Sequence, residues 1–279
     1  MDKSTTEVMN ALGEKAWEGN KYRVCFRNVA ASTNERTLIV SILPKMWCGN
    51  SMSVAQPYDP VKVPDGLNNF DNIWLCAFFG SFCIDYLVRQ KVTNNMSFYY
   101  LNTLPVARAK ESYLAKYSQP VIARAARLIC TDQQFADLWQ SVFSPAWNQA
   151  DFWYPVAGSM DYGPAHEQDI CQKLAESATT LTQKWGSHCG VHDRLAERRD
   201  TGDRAQLRAE IDAYVAHLYG LSREDFAYIL DTFPVLKRKE EAAFGEFRSR
   251  RKCLEEYDRL LPILKGDGSN HRTHIPGMR

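Results

Sequence analysis

Eight side chains in this chain have the chemistry to grip a polar ligand. Arg27, Asn34, Arg36 and Lys45 lie at the two ends of a segment that alternates like a hairpin, and Arg89, Lys91, Asn94 and Asn95 gather where a long apolar segment gives way to a polar turn. Asn and Arg present paired donors and acceptors that match adenine and guanine edges in a DNA major groove. Arg and Lys at the end of an element can meet phosphates. The same arginines also have a structural use. Asp85 sits inside the apolar segment, and a buried carboxylate needs a partner, which Arg27 or Arg36 can supply. On sequence alone both uses stay open. A later basic stretch, with Lys237, Arg238, Lys239, Arg248, Arg250, Arg251 and Lys252, is interspersed with glutamates and reads as a solvated helix face.

Other chemistries were sought and find little support. His188 and His192 are four apart with Cys189 between them, which is the raw material of a zinc site. Gly186 and Gly190 oppose a helix there, and no second ligand pair follows, so a surface loop is the reading and no metal is assigned; an independent metal enzyme ranks last. The chain has no nucleophile elbow and no phosphate-binding loop. Gly266-Asp267-Gly268 lies in a polar tail and is a poor cofactor turn. No lysine has an acid two positions before it, so the usual metal-dependent nuclease arrangement is missing. There is also no D/N-P-P-Y/F loop of the kind that holds a flipped adenine.

The elements that must position the polar groups follow from hydrophobic patterning. In a chain of 279 residues with net charge +1, a sizeable core can form, and any polyanion site must be a local patch. Residues 70 to 92 are apolar on two helical faces, as in a buried helix, and the apolar run is too short to span a bilayer. Thr93, Asn94 and Asn95 make a turn, and Met96 to Leu104 suits a strand by its aromatic content. Tyr22 to Ala31 alternates as a strand, and Thr37 to Leu43, closed by Pro44, reads as its hairpin partner. The proline-rich stretch from Gly49 to Leu67 reads as a loop. Helices are expected at 116–130, 131–143 (capped by Thr131 or Asp132), 167–184, 203–219 (ended by Gly220), 222–230 (opened by a Ser222 capping sequence) and 237–264, with a turn at Phe233-Pro234. Ser144 to Pro164, with Trp147, Phe152, Trp153, Tyr154 and Tyr162, reads as an ordered aromatic-rich loop. The eight cysteines are scattered, as in a reduced cytoplasmic protein. The expected fold is α+β: a small mixed or antiparallel sheet from segments 22–44 and 96–106, packed helices, and a mostly helical C-terminal half. The expected organisation is a lead-in over 1–20, a mixed α/β core over 21–165, a helical region over 166–264 and a disordered tail over 265–279.

Three blocks of this sequence together resemble a known family. They are Arg27-Asn28-Val29-Ala30 with Ser32 to Thr37 and a strand ending in Pro44; Phe79 to Val92 followed by Leu104-Pro105-Val106; and Leu218 to Ser222 continuing through Tyr228 to Pro234. They are similar to the C-terminal target-recognition region of adenine-specific DNA methylases of the type II restriction–modification and phage-defence kind. The resemblance covers roughly residues 20 to 260. It implies contact with double-stranded DNA through Arg27, Asn34, Arg36, Lys45, Arg89, Lys91, Asn94 and Asn95. It also implies a partner, a methylase catalytic domain or subunit, which would hold S-adenosylmethionine. No catalytic or cofactor residue carries over to this chain, which by this reading is inactive alone, cytoplasmic and without a membrane contact. The alternative is a protein-interaction subunit of a phage-defence complex that makes no DNA contact and docks through the aromatic loop from Trp147 to Tyr162.

Overall fold

The computed structural model describes residues 21–46, 48–55, 68–107, 114–131, 133–148, 152 and 201–265. The expected lead-in, the 167–184 helix, the zinc-like His188–His192 stretch and nearly all of the tail lie outside these residues. The fold is α+β. A three-stranded antiparallel sheet has the order β2-β1-β3, with β1 Arg23–Arg27, β2 Val40–Leu43 and β3 Met52–Val54. The helices are α1 Asn69–Phe79, α2 Phe82–Arg89, α3 Phe98–Leu101, α4 Ala115–Ile129, α5 Ala136–Val142, α6 Thr201–Leu218, α7 Arg223–Asp231, α8 Pro234–Phe244 and α9 Arg248–Lys265.

Strand β1 is central and buried along its length except at Arg27. It pairs with β2 in the register Arg23↔Leu43 to Phe26↔Val40, so the expected hairpin forms. Its second strand starts at Val40, not Thr37. The backbone N–H groups of Thr37 and Leu38 donate to Asp85 on α2 at 3.1 and 3.0 Å, which draws that part of the chain off the sheet. The other side of β1 is taken by β3, with Cys25↔Val54 and Arg27↔Met52. At three residues β3 is too short to show a period in sequence, and it falls inside the stretch read as a loop.

The long apolar segment is two helices bent by 63°. Asn68 and Asp71 form a capping box at the start of α1. The break falls at Gly80-Ser81, where Ser81 turns extended and its hydroxyl caps α2 by accepting from Ile84 N. A Gly-Ser pair is an ordinary place for a sharp helix break. Residues 96–104 correct the expectation of a strand. Only Val29 and Asn95 bridge, and Phe98–Leu101 is a single helical turn. Met96, Leu101 and Leu104 are the buried residues while Phe98 and Tyr99 face out, so burial overrides aromatic strand propensity.

Helix α6 is the axis of the helical half and packs on α4 and α9. Across that interface Arg124 and Glu210 pair in full burial, Gln206 donates to Glu210 and to Glu256, and Arg259 donates to Glu256 at 2.6 Å. Every member of this buried polar network is satisfied, which a dry core requires. Gly220 and Gly245 end α6 and α8 with φ of +65° and +76°, a region open to glycine at little cost. Gly245 divides the expected 237–264 helix into α8 and α9, and Pro234 opens α8 at its first turn, where the missing N–H costs nothing. The expected 131–143 helix is a 3₁₀ turn, Gln133–Phe135, followed by α5, with Phe135 in the N-cap position. Trp147 is fully buried, edge-on to Trp139 at 5.3 Å. It is core and not the docking surface expected of it, since Trp139 and Phe143 enclose it; residues 153–162 lie outside the described set. Among the described residues no single helix is long and apolar enough to cross a membrane.

Candidate polyanion cleft

The α1–α2 break, the start of β2, the C-terminal turn of α4, one face of α6, helix α8 and the start of α9 line a cleft of about 1110 Å³. Its cations are Arg27, Arg36, Arg204, Arg208, Lys239 and Arg248, and its acids are Glu35, Asp212 and Glu240. Helix α6 supplies Arg204, Arg208 and Asp212 at four-residue spacing, so they share one face. Ile39 and Phe244 add exposed apolar surface at 44% and 50%.

Most of these charges are already engaged. Arg36 donates to Asp85 at 2.7 Å and to Gly80 O at 2.6 Å, and stands 4.1 Å over the Phe82 ring. Asp85 is the carboxylate that takes it, so Arg36, and not Arg27, fills the ion-pair role. Lys239 meets Glu35 at 2.6 Å. Glu240 accepts from Ser249 N and Oγ at the start of α9. Arg204 donates to Leu128 O at 3.2 Å. Arg248 lies 3.8 Å over the Phe244 ring, and its Nε is sealed off without a partner. Arg27 has a light bond: with its amide turned to satisfy both neighbours, Asn34 accepts from Arg27 Nη2 at 3.1 Å and from Ala31 N at 3.2 Å.

Arg208 and Asp212 stand apart from this pattern. Arg208 makes no hydrogen bond among the described residues. The residue is exposed, yet burial of its charge lowers its pKa first, then Arg204 and Arg36, with Asp212 and Glu35 opposing. Asp212 is 3% exposed. One carboxylate oxygen accepts from Phe82 N at 2.6 Å, at the first turn of α2. The other has no hydrogen-bond partner among the described residues and is not sealed from the cleft. Burial pushes the Asp212 pKa up to about 7, against the pull of Arg36, the Phe82 N–H and Arg208.

The remaining sequence candidates fall elsewhere. Arg89 staples distant segments, donating to Asn34 O, to Glu35 O at 3.1 Å and to Thr232 O at 3.0 Å, with its guanidinium 4.0 Å over Phe233. Burial lowers its pKa. Lys45 pairs with Asp137 beyond the outer end of β2. Lys91 donates to Thr103 Oγ1 at 2.8 Å. Lys91, Asn94 and Asn95 are exposed beside Val29 and do not line the cleft. The structure therefore brings Arg27, Asn34 and Arg36 to the cleft and leaves Lys45, Arg89, Lys91, Asn94 and Asn95 outside it. The Arg204–Arg208–Asp212 stripe escaped sequence reading, although its four-residue spacing on a helix was visible once the apolar face of α6 was set aside. Among the described residues no group of three metal-ligating side chains comes together. No protein-family model, curated protein or solved structure matches this chain.

Proposed function

We propose that the chain is a DNA-binding target-recognition module, acting in the cytoplasm beside an adenine-methylase catalytic domain or subunit that carries S-adenosylmethionine. Two things support the reading: the resemblance of the three sequence blocks, and the composition of the cleft. The observation that carries it is Arg208, a guanidinium with no hydrogen-bond partner among the described residues, held close to two other arginines. Gathering like charges costs free energy, and a bound polyanion repays it by neutralising them. Glu35, Asp212 and Glu240 offset part of this charge, but the lining cations outnumber them two to one. Exposed Asn94 and Asn95, next to exposed Val29, which bridges to Asn95, offer further polar side chains of the kind that read base edges.

Fluorescence anisotropy with a labelled 25–30 base-pair duplex (roughly a typical site plus flanks) tests this. The expected result is binding that weakens steeply between about 50 and 200 mM salt. Arg208→Ala should weaken binding to every duplex alike and reduce the salt slope by about one. Binding insensitive to salt, or no binding to any duplex, refutes the reading. The second reading, a protein-interaction subunit without DNA contact, draws on the exposure of Val29 at 65% and Tyr99 at 76%. Co-purification with a methylase or helicase by a protein that binds no DNA would favour it.

A further inference from the structure

We propose that the cleft is a nucleotide subsite, which holds the phosphate of one unpaired nucleotide against Arg204 and Arg208 and the exocyclic amino group of its base against Asp212. The inference rests on the polyanion reading of the cleft and adds what kind of anion enters it and how it is oriented. A duplex reads its sequence to a protruding element laid in its groove; a concavity of about 1110 Å³ receives a small molecule or an extruded or single-stranded nucleotide instead.

The α6 stripe sets the polarity of the ligand. Arg204 and Asp212 are eight residues apart, about 12 Å along the helix axis, comparable with the span from the phosphate of a nucleotide to the far edge of its base. Arg208 sits between them with its donors uncommitted. At the other end Asp212 is 97% buried, with one oxygen committed to Phe82 N and the other open to the cleft. That oxygen is an acceptor and wants a donor. The surrounding arginines disfavour a cationic donor, so the ligand that fits joins an anion to a neutral donor. A nucleotide bearing an amino group does so, and carboxylates are the side chains that accept from cytosine N4. Phe244, half exposed and backed on one side by Arg248 at 3.8 Å, offers an aromatic surface of the kind on which bases stack.

The test compares pyrimidines that differ in amino against carbonyl at position 4 and in whether N3 carries a proton, offered free and within a strand. CMP and UMP are titrated into the full chain by calorimetry, and labelled octamers of deoxycytidine and deoxyuridine by anisotropy, all at a pH well above 7 so that Asp212 is ionised. The parent should prefer the cytosine ligand by about tenfold, the worth of one hydrogen bond to a charged group. In Asp212→Asn, the Phe82 N–H keeps the amide oxygen and turns the NH₂ into the cleft, so the preference should invert toward uracil. Arg208→Ala, at an exposed side chain that leaves the fold intact, should weaken both ligands equally. Preference confined to the octamers identifies a strand as the source, and preference confined to the mononucleotides a free nucleotide; both uphold the subsite. Equal binding of cytosine and uracil ligands by the parent, or an unchanged ratio in Asp212→Asn with its melting transition intact, overturns it. Salt-dependent duplex binding would then survive on its own. Mononucleotide binding without any binding to duplex would instead sink the DNA reading and leave the subsite standing.

Discussion

Replacing Asp85 by Ala should be the most damaging single change in the sheet half of the molecule. The carboxylate is fully buried. It accepts from Arg36 Nε at 2.7 Å, Thr37 N at 3.1 Å and Leu38 N at 3.0 Å. Thr37 and Leu38 are 0% and 2% exposed, so water cannot replace the lost acceptor. Two sealed N–H groups cost about 1–3 kcal/mol each. Arg36 adds less, because its side chain is 22% exposed and keeps Gly80 O as a partner. The sum, about 3–5 kcal/mol, is also the usual cost of breaking a buried ion pair, and at about 2–4 °C per kcal/mol it lowers Tm by ~10 °C. Asp85→Asn retains one carbonyl acceptor and should cost about half as much. Urea titration of Asp85→Ala, Arg36→Leu and the double variant reads the coupling directly. The double variant should lose clearly less than the sum of the two single changes. A loss no greater than the ~1 kcal/mol of an exposed pair, or strict additivity, would refute the account of Arg36 as a structural arginine.

Asp212 makes stability depend on pH. Its folded pKa, about 7, lies above the ordinary carboxyl value of 3.8. Below about 4 the carboxyl is protonated in both states, and between the two values only the unfolded state ionises, so the parent loses stability as pH rises through that window. Asp212→Asn should gain on the parent from about pH 4 to pH 7 and level off above; parallel Tm–pH curves would rule this out. Ser222→Ala removes one half of the capping box that opens α7 and should cost about 1 kcal/mol by urea titration, with full stability counting against the cap. Glu210→Ala removes the carboxylate that pairs with Arg124, 0% exposed, and should cost about 3–5 kcal/mol; a Tm unchanged within a degree would show the network to be dispensable.

What the sequence determined by itself was local. The Ser222–Asp225 capping box, the glycine stop at 220 and the burial of the Phe70 to Val92 segment depend on neighbours a few positions away, and the first two strands pair across 14 to 20 positions of one connection, so residue order alone carries them. The tertiary structure decided which charges were free. Arg36 and Asp85 are 49 positions apart, Arg89 and Thr232 are 143, and Phe82 and Asp212 are 130. Each partner is selected by packing, and a buried group takes whichever partner the fold delivers. The same competition moved the start of β2 to Val40, turned Phe98–Leu101 into a helical turn, and left Arg208 and one oxygen of Asp212 uncommitted. Local bonds are specified within one turn of chain, whereas a cleft is a relation among faces of several elements and exists only once those elements have packed.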